Sequence, residues 1–181
     1  MATRIHLTPW SPDDLPLLRR SNSPEMTAHV GGPEDEETLL ARQWKYVELS
    51  GRPAVEGRMF RVSLAESGEA VGSVGYWPRA WQGEDVYETG YGILPEFQSR
   101  GLAVAAIRAA ADAARTAGGR RHLHAYPSVD NAASNIVLRK AGFHLLGDVK
   151  FEYPPGHWLT SHDWCLDLTA PVPGHSAPIG P

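Results

Sequence analysis

The chain has 181 residues, a formal charge of −4 and a sequence pI near 6.0, a length that one hydrophobic core can serve without metals or disulfides. The acidic balance and the lack of a basic tract argue against a protein that works by neutralising nucleic-acid phosphates. No run approaches the roughly 18 apolar residues of a membrane span, and the first residues lack the basic-then-apolar pattern of a leader. A single cysteine, Cys165, fits a reducing, cytoplasmic compartment.

Residues 4–8 read as an opening strand. Ser11 and Pro12 carry helix-start signals, a capping hydroxyl and a ring that pre-sets the first helical φ, for a helix reaching about Arg20. Acidic residues at 34–37 suit the start of a second helix. Leu39, Leu40, Trp44 and Val47 then recur at helical spacing until Gly51-Arg52-Pro53 stops the run. Residues 59–65 and 70–77 form a hairpin pattern joined by Glu66-Ser67-Gly68-Glu69, and a third strand follows over 85–94. On it the two-residue period sets Tyr87, Thr89, Tyr91 and Ile93 on one face and Val86, Glu88, Gly90, Gly92 and Leu94 on the other. Glycine inside a strand marks a close approach of ligand or backbone, so Glu88 is expected to overlook a groove.

A short loop leads from Pro95 to Arg100 into an alanine-rich helix over 101–117, closed by Gly118-Gly119. The unpaired N–H groups and positive dipole end of such a helix start favour a pyrophosphate, and Gly101 and Ala103 clear space for it. The pattern is neither a P-loop nor the dinucleotide fingerprint. Residues 120–126 form the next strand, Asn131 caps a helix over 132–141, Gly142 ends it and Phe143 opens another strand. His122 and His124 share a strand face without partners at a metal-binding spacing, and no metal site is expected. Cys165 reads as a small buried hydrophobe within Trp164-Cys165-Leu166. From Thr169 the composition turns to Pro and Gly, which divides the chain into one domain over 1–169 and a flexible tail over 170–181.

In this order, Glu88, Gln98-x-x-Gly101-x-Ala103, Asn131-x-x-Ser134 and Lys140-Ala141-Gly142-Phe143 resemble the GNAT superfamily of acyl-CoA-dependent N-acetyltransferases, and most of all its RimJ/RimL-type branch of ribosomal-protein N-acetyltransferases. The motif-bearing stretch runs from about residue 86 to 146. The resemblance implies an α+β (α/β/α) fold with a mixed, mostly antiparallel central sheet, helices on both faces and two splayed strands, here 86–94 and 120–126. Acetyl-CoA would enter between them. By the same resemblance the backbone of Ile93 and Leu94 pairs with the pantetheine arm. The loop of Gln98, Ser99, Arg100, Gly101, Leu102 and Ala103 holds the pyrophosphate, and Asn131 bonds the pantetheine near the thioester, with Ser134 close to sulfur. Ser99 and Ala103 stand where glycine is common in the family, and Leu138 where many members carry a tyrosine acid.

Aminolysis of a thioester requires loss of a proton from the amine, stabilisation of an oxyanion and help for the departing thiolate. Glu88 is the expected base, directly or through a water, with His124 as the alternative. Backbone N–H groups near Ile93 and Leu94 would polarise the carbonyl, and Ser134 would replace the tyrosine acid. The expected activity is direct transfer of acetyl, in a ternary complex, to a primary amine: a protein N-terminus, a small metabolite or an antibiotic. The alternative is a non-catalytic acyl-CoA sensor, which has no need of both Glu88 and Ser134. The expected partners are acetyl-CoA and the amine, with neither nucleic acid nor membrane, on a monomer or homodimer. Segments 77–81 and 154–158 are expected to wall the acceptor pocket as loops.

Overall fold

Capping and periodicity set most of the elements in the computed structural model, which describes residues 4–170. Strand β1 (Ile5–Pro9) is followed by helices α1 (Leu15–Ser21), α2 (Pro24–Thr27) and α3 (Glu36–Gly51). Asp35 caps α3 by accepting from the Thr38 N–H at 2.8 Å. Strands β2 (Arg58–Leu64), β3 (Ala70–Trp81) and β4 (Glu84–Ile93) lead into α4 (Leu102–Ala117), β5 (His122–Ala125), α5 (Ala132–Ala141), β6 (His144–Glu152) and β7 (Trp158–Asp167). All but the first residue of the expected tail lies outside the described residues.

The seven strands form one sheet in the order β1-β2-β3-β4-β5-β7-β6. Every neighbouring pair is antiparallel except β4–β5, the mixed, mostly antiparallel sheet that was expected. That parallel pair is brief: Tyr87 registers with Leu123 and Glu88 with His124, and pairing stops there. On its other side β4 stays paired with β3 as far as Ile93, opposite Gly72. From Thr89 onward β4 therefore has one edge without a neighbouring strand among the described residues.

Helices cover both faces of this strand. Gly92 lies beneath Met26 of α2, whereas Tyr91, one residue earlier and pointing the other way, reaches Ser134 of α5. Helix α4 buries Leu102, Ala106, Ile107, Ala110, Ala111 and Ala114 at helical spacing. Its alanines let the helix lie close to the sheet, in one core with Val71, Val74, Tyr87 and Leu123.

Several expectations need correction. Strand β3 does not end at Trp77 but runs through Pro78 to Trp81, and a two-residue turn at Gln82 and Gly83 (φ 49° and 85°) returns it into β4. Positive φ at both turn residues matches the twist of a hairpin, so 77–81 is strand and not loop. Similarly, Trp158 opens β7. On α3 the periodic stripe is offset: Trp44 is 62 % exposed, whereas Gln43 is buried. Gln43 accepts from the Trp10 indole at 2.8 Å and donates to Ser11 and Pro12 carbonyls. Cys165 is only half-buried, because it lines an open cleft.

Candidate active site

The side chains on the Glu88 face of the sheet are set by register. Trp77 of β3 and His124 of β5 flank Glu88 directly, and Arg79, two residues along β3, reaches it diagonally, donating from Nη1 to Oε2 at 2.7 Å. Burial pushes the Glu88 carboxyl above its ordinary range, against the pull of the Arg79 charge and hydrogen bond and of the Trp77 indole. The Arg79 guanidinium lies over the rings of Trp81, Tyr126 and Phe151 at 5.2, 5.2 and 4.5 Å, contacts that fix its position as well as favour its charge. Arg79 is absent from the sequence reading. Its signal was available in the register of a tight hairpin, which brings a residue nine positions earlier onto the same face.

The expected open groove along this face is partly filled. A Cβ at Gly90 would stand 2.8 Å from the Trp77 ring, and one at Gly92 would stand 3.1 Å from the Met26 methyl. The two glycines make room for these side chains.

His124 shares the Glu88 face but is tied elsewhere. Its Nδ1 lies 2.6 Å from Asp163 Oδ1, and the Trp81 indole donates to Asp163 Oδ2 at 2.9 Å. Burial opposes its charge, but the Asp163 hydrogen bond and the Cys165 side chain prevail and raise its pKa to about 9. An imidazolium has no lone pair with which to accept a proton, which argues against the alternative base. Beside it a cleft of about 310 Å³ opens among Trp81, Glu84, Val86, His122, His124 and Cys165.

A second cleft, of about 190 Å³, gathers Ile93, Ser99, Gly101, Leu102 and Ala103 of the expected cofactor set, together with Lys140 of α5. Gly101 caps α4 at φ 77° with no side-chain cap, and no acidic residue occupies the first turn. The N–H groups of that turn are thus left to an anion. Ser99 also adopts a left-handed conformation, φ 61°, one that glycine takes without strain. Gln98 and Arg100 do not line this cleft. Gln98 Nε2 donates to the Ile93 carbonyl at 2.9 Å, and Arg100 lies over Phe97 and donates to the Glu96 carbonyl at 3.0 Å, so both brace the loop. Leu94 requires a correction: its N–H is committed to the Val71 carbonyl at 2.8 Å and is not free for pantetheine. Strand alternation turns the Ile93 and Tyr91 backbone groups to the unpaired edge instead. Lys140 was not singled out from the sequence, where it reads as a basic residue closing a helix.

Asn131 caps α5, its Oδ1 accepting from the Ser134 N–H at 3.1 Å. The Ser134 hydroxyl lies 2.6 Å from the Tyr91 hydroxyl, whose pKa burial pushes up to about 12 against the Ser134 hydrogen bond. Asn131, Ser134 and Tyr91 thus form one group, on the face of β4 opposite Glu88. Leu138 is fully buried in the core and supplies no proton. Asn135 was also missed: its Oδ1 meets Trp164 Nε1 and His162 Nδ1 at 2.7 Å each, and its Nδ2 donates to the Ser128 carbonyl at 3.1 Å, which ties α5 to β7.

The family model described as an acetyltransferase (GNAT) domain matches residues 4–144. The chain belongs to that family. No curated protein matches it. Among solved structures, the GNAT-family acetyltransferase from Bacillus anthracis superposes with a TM-score of 0.74 at 20 % identity, over 93 % of this chain and 97 % of that one. RimL, a ribosomal L7/L12 alpha-N-protein acetyltransferase in complex with coenzyme A, gives 0.72 at 18 % identity over 92 % and 95 % of the two chains. The spermidine N-acetyltransferase from Vibrio cholerae, in complex with CoA and spermine, gives 0.71 at 17 % over 91 % and 95 %. The likeness is one of fold, and it does not single out the RimL branch.

Proposed function

We propose that this protein is an N-acetyltransferase of RimJ/RimL-like type that transfers acetyl from acetyl-CoA directly to a primary amine in a ternary complex. The observation that carries the reading is the parting of β4 from β5 immediately after Glu88 and His124. Beyond that point β4 bears an unpaired edge, with Glu88 on one face and the Tyr91–Ser134 pair on the other. The uncapped α4 start beyond Gly101 and the adjacent Lys140 fit an anionic pyrophosphate. Asn131 and the Ile93 edge fit an amide-bearing arm.

When bound, acetyl-CoA supplies the activated acyl thioester. Glu88 accepts the proton of the acceptor ammonium, its raised pKa bringing its basicity closer to neutral pH. The Ile93 N–H is the donor available at the unpaired edge to a carbonyl oxygen gaining charge. Ser134 would donate a hydrogen bond toward the departing sulfur, its Oγ accepting in turn from the Tyr91 hydroxyl, which burial keeps protonated. A non-catalytic acyl-CoA sensor would use the loop and Asn131 alone, and Glu88 held beside Arg79 under partial burial favours the enzyme. A soluble amine acceptor and a cytoplasmic location accord with the acidic composition.

Titration calorimetry with acetyl-CoA, followed by thiol-release assays across peptide, metabolite and antibiotic amines, tests this reading. Binding together with amine-dependent thiol release is expected. Binding without turnover of any amine would leave the sensor, and absence of binding would refute both.

A further inference from the structure

The charges on the Glu88 face restrict the acceptor, on the footing that this face receives the amine. Three carboxylates of this face already have a cationic or basic partner: Glu88 has Arg79 at 2.7 Å, Asp163 has His124 at 2.6 Å, and Glu84 has His122 at 3.2 Å. A polycationic acceptor draws its affinity from carboxylates without partners, and it finds none in this set. The face instead offers two opposite charges in contact. Both are partly withdrawn from solvent, with Arg79 31 % and Glu88 15 % exposed, yet neither is sealed. A ligand that carries both signs at short separation can take up both, its cation on Glu88 and its anion on Arg79.

Unused donors lie on the Arg79 side of the pair. Arg79 spends Nη1 on Glu88, and its buried Nε has no partner among the described residues. The Tyr126 hydroxyl is likewise buried and unpartnered, in a side chain only 8 % exposed whose ring packs against the same guanidinium. Burial raises the Tyr126 pKa far above its ordinary value, which leaves the hydroxyl as a donor. A buried donor without an acceptor is costly, and here both costs fall beside one cation. The Nε–Nη2 edge of a guanidinium is a fork that matches a carboxylate bidentately, and Trp81, Tyr126 and Phe151 hold its plane.

We infer that the acceptor is a free α-amino acid, its ammonium on Glu88 and its carboxylate on the Arg79 fork and the Tyr126 hydroxyl. Peptide N-termini replace that carboxylate with a neutral carbonyl, and polyamines lack it. Arg79 and Tyr126 are then the residues that set specificity, whereas Glu88 serves any amine.

The test compares initial rates of CoA thiol release for the twenty common L-amino acids, their α-amides, the matching decarboxylated amines, short peptides and spermidine. Alongside it, quenching of the Trp77 and Trp81 fluorescence of the CoA-loaded protein reports binding without turnover. For the preferred side chain, kcat/KM of the free acid should exceed that of its amide by roughly 10- to 100-fold, the span of a charged hydrogen-bonded contact. Arg79→Gln should erase this preference, Arg79→Lys should keep part of it, and Tyr126→Phe should reduce it several-fold. Equal rates for acid and amide, or a preference for peptides or spermidine, would overturn the inference while leaving an acetyltransferase. Carboxylate-dependent amino-acid binding without turnover would support the site and refute the enzyme. Neither binding nor turnover of any amino acid would overturn it. The comparison of acid with amide uses the unmodified protein and stands even if a variant fails to fold.

Discussion

At the scale of single residues, the site divides along β4. Glu88 owes its raised pKa to burial and its accessible position to Arg79, which holds it from one side. Ser134 owes its orientation to two neighbours, with its N–H on Asn131 and its hydroxyl on Tyr91. Tyr91→Phe removes one hydroxyl at the end of this chain. It should reduce turnover about 10- to 100-fold, as loss of an assisting proton donor does, while leaving acetyl-CoA affinity within about two-fold, an arm set by the loop at Gly101. Stopped-flow single-turnover kinetics separates the two effects, and an unchanged chemical step would remove Tyr91 from this role. Glu88, Asn131 and Ser134 were legible because each stands at a fixed offset within a strand or helix start. Arg79 and Tyr91 were not, since their partners come from register and from a helix more than 40 residues away.

At the scale of elements, the proposed cofactor loop is shaped by backbone conformation more than by side chains. Ser99 and Gly101 both lie at positive φ, 61° and 77°, but only one of them is glycine. A left-handed conformation costs a residue with a Cβ about 1–2 kcal/mol. Ser99→Gly relieves that cost and gives back part of it as freedom of the unfolded chain, for a net gain below about 1 kcal/mol. Gly101→Val should lose about 1–2 kcal/mol and weaken acetyl-CoA binding, because a displaced first turn no longer aims its N–H groups. Urea denaturation and titration calorimetry read both effects, and full cofactor affinity in Gly101→Val would contradict this account of the loop. Helices α4 and α5 were legible from their glycine ends and caps. Strand β3 was cut short at Pro78, which usually demotes a strand, although its register continues opposite Tyr87. The short α2 was missed because its four residues carry no periodicity.

For the molecule as a whole, the sheet departs twice from a simple antiparallel succession, in the parallel β4–β5 pair and in the insertion of β7 between β5 and β6, and the His124–Asp163 pair ties β5 to β7. Asp163 on β7 bridges across the face, with Oδ1 on His124 of β5 and Oδ2 accepting from the Trp81 indole of β3. Because the folded pKa of His124, about 9, exceeds the ordinary 6.5, its stabilisation is complete below about pH 6.5 and lost as pH rises through 9. The slope in that window is at most about 1.4 kcal/mol per pH unit. Thermal unfolding from pH 6 to 10 should show this decline, His124→Gln should flatten it, and an identical profile in the variant would contradict it. The fold class was legible in the ordered motifs of 88–143, whereas the identity of the acceptor was not, because the residues around Glu88 come from β3, β5, β6 and β7 together. The central claim is that Glu88 takes the proton from the amine. Amine-dependent CoA thiol release at saturating acetyl-CoA, followed against pH in wild type and Glu88→Gln, tests it most directly. Wild-type rates should rise through a pKa above the ordinary carboxylate range. Glu88→Gln should lose that limb and be slower by about 10²- to 10⁴-fold, with acetyl-CoA affinity unchanged. Undiminished turnover with the same pH limb in Glu88→Gln would contradict it.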